Sequence, residues 1–381
     1  MLRYVMSVLP QANSGISRVN ERRSKTQNDP EHWSASSDPL RVSLPLPFHH
    51  VLFPFGFALQ IKSNDATIIR LAEQSWSGFQ QRFRDTPIEL RFLVFDILTR
   101  RRPPSPCFRA QSNLLTIVAD AHNFACCDLA AGFGFGSVTK SAVANKDYFR
   151  YNFLEAMAYT LLDTRHLVAL HAACVTKHGF GVLLVGRSGA GKSSLAYACM
   201  RRGWTYVSDD ASSLLRRRPG RMVVGNPNSF RFRPMASVLF PELEGPIKVR
   251  NGKATVEIRT EHLPGCQVAT ECTIDYVIFL NRQEDEVSQP ALVPVTREEG
   301  CRRLFQENVW PPELPRHEER LEAIERLLGA HLFELTYQSF NSAIEWTSGT
   351  GPSISLRAAP IGWTCVSMIP GTTHLPPRSI F

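Results

Sequence analysis

The sequence contains no run of about 18 apolar residues, so a membrane-spanning helix is not expected. Its start, MLRYVMSVLPQANSG, carries one arginine but no sustained apolar stretch, and a secretion signal is not expected either. Nine cysteines are scattered without a CxxC pair or a Cys/His cluster at zinc spacing, which argues against a zinc ribbon or a thioredoxin-like redox motif. An odd cysteine count without a signal points to a reducing cytoplasm. Cys126 and Cys127 are adjacent, and neighbours this close rarely bridge each other. Cys174 and Cys199 lie in apolar stretches and are expected to be buried. The two densest basic runs, Arg100–Arg102 and Arg216–Arg218, are each followed by proline and are not interleaved with aromatics. They read as loops, either solvated or facing an acidic partner, and nucleic-acid binding is not expected.

What is present is the composition of a folded protein large enough for two domains. In 381 residues, 43% are hydrophobic and 20% charged, with a diffuse net charge of +8. Residues 1–45 are rich in Ser, Asn, Arg and Pro without periodicity and read as disordered. From Leu46 the pattern changes into a small α+β domain over 46–145. Val51–Ile61 suits a strand pair, and Asp65 suits the cap of a helix whose Ile68, Ile69, Leu71, Ala72 and Trp76 recur at helical spacing. Glu89–Leu98 and Leu114–Val118 read as strands. The glycine-rich GFGFGS, Gly132–Ser137, lacks the strand-before and long-helix-after context of a dinucleotide loop and reads as a turn between short strands. A second domain is expected over 146–346. It begins with an apolar-faced helix over Arg150–Leu162 and ends with helices over Glu298–Phe305, Glu318–Leu328 and near Ser339–Trp346. Residues 347–381 read as a loose tail.

The chemistry sits between His171 and Leu215. Val182–Val185 is a β-rich apolar run suited to a strand buried on both faces. Gly186-Arg187-Ser188-Gly189-Ala190-Gly191-Lys192-Ser193 follows and fits G-x-x-x-x-G-K-[ST]. A helical pattern over Ser194–Arg202 then ends at Gly203, a plausible helix stop. Strand, glycine loop and helix form the context that a phosphate loop requires. The glycines let successive N–H groups from Gly186 to Ser194 aim at one anion, and the helix adds its positive N-terminal end. Lys192 is suited to the β- and γ-phosphates of ATP, and the Ser193 hydroxyl to Mg2+. Trp204–Ser208 reads as a second short strand closing on Asp209-Asp210. Adjacent carboxylates at a strand end are costly unless they meet cations or solvent. One would hold the metal and the other accept a hydroxyl proton, or both merely cap the next turn.

The combination of His171, Gly186–Ser193, Arg202-Gly203 and Asp209-Asp210 resembles the catalytic domain of bacterial HPr kinase/phosphorylase and its relatives. His171 stands fifteen residues before Gly186, and Asp209 seventeen after Lys192, spacings that agree with the family's pattern. The resemblance implies a mixed-sheet α/β fold shared with phosphoenolpyruvate carboxykinases. It also implies one of Asp209 and Asp210 as base on a seryl hydroxyl and the other as magnesium ligand, with Asp209 taken as the base and Asp210 as the ligand, and His171 lining the phosphate site. The family's second signature, an EIRGLG-type stretch, has no clear counterpart. Val224–Leu243 stands in its place, with Arg231 and Arg233 either facing phosphate or flanking Phe230 and Phe232 on a strand.

The leading expectation is therefore a cytoplasmic ATP- and Mg2+-dependent kinase whose acceptor is a protein serine or a small molecule, without nucleic-acid or membrane partners. A homo-oligomer is compatible with it. A nucleotide-binding switch without turnover would need a metal ligand but no base, so the paired aspartates favour the enzyme. A transport ATPase would need an LSGGQ signature, which is absent, and a carboxykinase an oxaloacetate site with its own metal ligands.

Overall fold

The computed structural model describes residues 45–97, 103–210, 212–250, 253–283, 290–308 and 316–338. The expected disorder before residue 45, the run Arg100–Arg102, the closing helix near Ser339–Trp346 and the tail 347–381 lie outside the described residues.

The first unit is a seven-stranded sheet: β1 (Phe48–Leu52), β2 (Leu59–Ser63), β3 (Ile88–Phe95), β4 (Cys107–Gln111), β5 (Leu114–Val118), β6 (Phe124–Asp128) and β7 (Phe133–Thr139), in the order β1-β2-β3-β7-β6-β5-β4. Helix α1 (Ala66–Trp76) connects β2 and β3, which pair in parallel, and starts where the Asp65 carboxylate accepts the Thr67 N–H at 2.8 Å. The glycine-rich segment is not a turn. It is β7, a central strand paired with β3 and β6. Its glycines are there for packing: a Cβ on Gly134 would meet Met157 at 2.7 Å, and one on Gly136 would meet Phe92 at 2.7 Å. Alternating Gly and Phe thus gives a strand with one thin face under a helix, which reads like a turn when only composition is considered.

Helix α2 (Glu155–Arg165) follows a π-helical segment, Arg150–Leu154. Phe153, Leu154, Met157, Ala158 and Leu161 are fully buried in one core with Leu59, Ile61, Leu90 and Phe92 of the first sheet. Packing therefore joins α2 to the first sheet, although it lies past residue 145.

The second unit is a nine-stranded mixed sheet flanked on both faces. Its strands are β8 (Leu167–Leu170), β9 (Ala172–Lys177), β10 (Phe180–Val185), β11 (Thr205–Ser208), β12 (Ser212–Leu215), β13 (Met222–Gly225), β17 (Glu271–Arg282), β18 (Ala291–Pro294) and β19 (His331–Tyr337). A three-stranded flap is made of β14 (Ser229–Phe232), β15 (Ile247–Arg250) and β16 (Lys253–Arg259). β10 pairs in parallel with β17, and β17 with β19, whereas β9 runs antiparallel to both β10 and β11. One face carries α3 (Lys192–Arg201) and the aromatics Phe230, Phe232 and Phe240. The other carries α4 (Arg297–Glu307) and α5 (His317–Leu327), through Leu304, Ala323, Ile324 and Leu327. Five of the six residues of β10 are buried, the sandwiched strand that its apolar run demands. Among the described residues no helix is long and apolar enough to cross a membrane.

One charged run departs from the loop reading. Arg217 and Arg218 are exposed and pair with Glu319 and Asp85, but Arg216 is fully buried. Its guanidinium donates to the backbone carbonyls of Leu167, Arg316 and Asp163. These carbonyls lie at element ends, and a guanidinium fork can serve several at once. Burial pulls the Arg216 pKa down to about 10, leaving it charged at neutral pH.

Candidate functional site

The glycine loop leaves β10 at Val185 and enters α3 at Lys192. Gly189 and Gly191 hold φ of 93° and 90°, the left-handed region where a side chain is strained. Gly186 is required for a different reason, since a Cβ there would meet the Leu280 carbonyl oxygen at 3.1 Å. Ser188 and Gly189 are exposed, whereas Ala190 is buried and its carbonyl accepts the Tyr337 hydroxyl at the end of β19. The first intrahelical bond of α3 runs from Leu195 N–H to Gly191 at 2.8 Å. The N–H groups of Lys192, Ser193 and Ser194 therefore precede the helical ladder, and the positive end of the helix opens on the loop. Ser193 and Ser194, in this first turn, are half-buried.

Lys192 is itself buried, and its ammonium is held at 2.6 Å from the Gly186 carbonyl and 3.2 Å from that of Arg187. Its third neighbour is His171 Nε2 at 3.0 Å. The other ring nitrogen, Nδ1, lies 2.9 Å from Asp210 Oδ1. An ammonium only donates, so Nε2 accepts; a carboxylate only accepts, so Nδ1 carries the proton. His171 is thus the neutral Nδ1–H tautomer, linking loop lysine to strand-end carboxylate.

The two adjacent carboxylates occupy opposite surroundings. Asp209 is buried, and its Oδ2 accepts the Arg231 N–H at 2.5 Å. Burial, followed by the neighbouring Asp210 charge, lifts its pKa to about 7 against the opposing pull of Arg231. Asp210 has a half-exposed side chain. Its partial burial works to raise the pKa, but the hydrogen bond from His171 and the nearby positive charge, that of Arg231 included, together outweigh it and hold the carboxyl well below the usual range. One carboxyl is poised near neutrality while the other is firmly ionised, an arrangement suited to proton transfer beside a fixed negative charge.

The structure thus brings His171, Lys192 and Asp210 into one hydrogen-bonded chain, with Asp209 adjoining and Gly186–Ser194 forming the loop. Of the two flap arginines, Arg231 is on β14 beside Asp209, its Nε 3.5 Å from Glu257 on β16. Arg233 is exposed, and among the described residues its guanidinium reaches the Ala254 carbonyl, at 3.4 Å. Sequence reasoning missed Asn308, Tyr337 and Glu257. Each lies far along the chain from the residue it holds, and none belongs to a motif. The only local signal was for Asn308, a polar residue directly after an apolar-faced helix.

Residues 164–235 match the family model of the HPr Serine kinase C-terminal domain. An HPr kinase/phosphorylase of Peptoclostridium acidaminophilum is 45% identical over 56 residues, 15% of this chain and 18% of that protein. One from Halalkalibacterium halodurans is 38% identical over 76 residues, 20% of this chain and 23% of its own. The chain therefore spans about a fifth of the length of these curated relatives. The solved Hpr(Ser) kinase/phosphatase of Coxiella burnetii aligns at 17% identity and a TM-score of 0.25, covering 45% of this chain and 87% of that one. Over the stretch from the end of α2 to the start of the flap, which contains His171, the glycine loop and Asp209-Asp210, this chain is similar to the C-terminal domain of HPr serine kinases.

Proposed function

We propose that this protein is an ATP-dependent kinase that transfers the γ-phosphoryl group to a hydroxyl, on a protein serine or a small molecule. The observation that carries the reading is the chain Lys192–His171–Asp210 with buried Asp209 beside it. A loop that only binds nucleotide needs the lysine and the amides, not a second carboxylate held near neutrality.

The geometry supports the following roles. The amides of the glycine loop and of the first turn of α3, with the Lys192 ammonium, bind the phosphates, and Lys192 gives up its contacts to Gly186 and Arg187 as it does so. Asp209 accepts the proton of the attacking hydroxyl, the step for which a pKa near 7 is suited. Among the described residues no three His, Cys, Asp or Glu side chains gather into a protein-only metal cage. Magnesium shared with phosphates needs none, because one or two carboxylates, a hydroxyl and water complete its shell. The ionised Asp210 and the half-buried Ser193 hydroxyl fit that hard-oxygen class and would hold it. Bound there, the ion would neutralise charge developing on the transferred group. HPr, which the relatives' names specify as their substrate, is one acceptor to test.

Purified protein is incubated with γ-labelled ATP, magnesium and either HPr, a cell lysate or a metabolite pool, alongside Asp209→Asn and Lys192→Ala. Label is expected on a hydroxyl acceptor in the wild type and not in the variants. ATP binding without transfer above the variants would overturn the kinase reading in favour of a nucleotide switch.

A further inference from the structure

His171 occupies an unusual place in the sheet. β8 and β9 are separated by this single residue, yet they pair with different neighbours. Leu170 is opposite Ser212 of β12, while Ala172 is opposite Val185 of β10. Among the described residues no ladder register includes His171. The switch of partners leaves its backbone N–H without a strand carbonyl, and a half-buried amide must find an acceptor elsewhere.

That acceptor is the side chain of Asn308, whose Oδ1 takes the His171 N–H at 2.6 Å. Asn308 directly follows α4, is buried, and is gripped at its other end. Its Nδ2 donates to the Leu304 carbonyl at 2.8 Å, and its own backbone N–H reaches the same oxygen at 3.0 Å. Leu304 is fully buried in the core under the sheet. The carboxamide therefore ties the sheet's switch point to the last turn of a packed helix. Both its donor and its acceptor are used in one orientation, so it has no second hydrogen-bonded rotamer at these partners.

We propose that Asn308 is a positioning residue, which holds the His171 backbone so that the imidazole spans Lys192 and Asp210 in its Nδ1–H tautomer. The ring must meet two partners, at 3.0 and 2.9 Å, on opposite nitrogens. A shift of the backbone by a fraction of an ångström releases one of them. When Lys192 leaves for the phosphates, Asn308 still fixes the ring against Asp210. The consequence for turnover rests on the kinase reading; the consequence for the ring does not.

The test uses the full chain with 15N-labelled histidine, and His171→Gln to assign the signal. Nitrogen spectra of the nucleotide-free wild type are expected to show His171 as the Nδ1–H form. In Asn308→Ala and in Asn308→Ser, whose hydroxyl stops short of the amide, the two nitrogens are expected to average towards a mixed tautomer. Asn308→Asp keeps an acceptor for the His171 amide but loses the donor to Leu304, and is expected to give a pattern between those of the wild type and Asn308→Ala. In the transfer assay Asn308→Ala should lower kcat about 10- to 100-fold, with KM for ATP within about three-fold. An unchanged His171 tautomer in both Asn308→Ala and Asn308→Ser would overturn the proposal, even if the kinase reading stands. A shifted tautomer in a protein that transfers no phosphate would uphold it and sink the kinase reading instead.

Discussion

The glycine loop and the paired carboxylates face each other across one site but are built in opposite ways. The loop is made of consecutive residues, its shape set by two glycines at positive φ and by the start of one helix. Much of it is exposed. The carboxylate side is assembled from distant segments: His171 reaches Asp210, Asp209 meets Arg231, and Asn308 steadies His171 from another 137 positions along the chain. Under the proposed function, this is a division of labour between binding and chemistry. An anion can be held by local backbone, whereas a proton acceptor near neutral pH needs burial and charge that only tertiary structure supplies.

The sharpest way to break this comparison is to remove one group from each side. Asp209→Asn is expected to lower kcat by about 10²–10⁴-fold while leaving nucleotide affinity within a few-fold. Lys192→Ala should weaken nucleotide binding by about ten- to a hundred-fold, the worth of a charge-assisted hydrogen bond. Calorimetric titration with a non-hydrolysable ATP analogue, beside steady-state kinetics, separates the two. Equal losses of affinity in both variants would show that the two sides are not separable.

The same contrast explains what could be read in advance. The strand Val182–Val185, the glycine loop, helix α3 and the strand closing on Asp209-Asp210 were all legible, because each is a local pattern of apolar period, glycine or capping. Asp65 as a helix cap was legible for the same reason. What failed depended on neighbours. Gly132–Ser137 looked like a turn because the side chains that require its glycines, Phe92 and Met157, lie on other elements. Arg216 looked like a solvated loop residue because the carbonyls it serves come from residues 163, 167 and 316. The sequence placed His171 near the phosphates by resemblance alone; its tautomer required both partners to be seen.

Arg216 gives the next largest effect, on stability rather than chemistry. Arg216→Met keeps the apolar stem but removes the guanidinium that serves the carbonyls of Leu167, Asp163 and Arg316, of which Arg316 retains the Arg320 N–H. Loss of about 3 kcal/mol is expected in urea unfolding. If stability is unchanged, the buried cation costs as much as its bonds return, and the exposed Arg217–Glu319 pair becomes the better anchor.

Within the loop, Gly189→Ala tests local backbone alone. A Cβ there meets nothing within 4 Å, but φ is 93°, so the cost is strain of about 1–2 kcal/mol. Nucleotide affinity is expected to fall about ten-fold with little change in the unfolding midpoint, since the exposed loop relaxes without disturbing the core. A large fall in the midpoint would show that the loop's shape is part of the fold's stability and not only of its binding.

The smallest effect concerns a second histidine, His166, five residues before His171 and without its chemistry. Its ring stacks on Phe57 at 4.4 Å between centroids and 11° between planes. Burial, aided by the charges of Arg165, Arg316 and Arg217 and opposed by Asp85, lowers its pKa to about 4. The unfolded chain takes up this proton near pH ~6.5, whereas the folded chain resists it until about 4. Stability from this group is therefore complete above the unfolded value and lost as pH falls from there towards 4. Because the ring is partly exposed, we expect about 1–2 kcal/mol rather than the full linkage value. His166→Phe keeps the stack and removes the titration. Urea unfolding at pH 7.5 and 4.5 should then show a smaller acid loss in the variant than in the wild type. Equal losses would mean that the proton is taken up without breaking the stack, and that acid acts on the carboxylates instead.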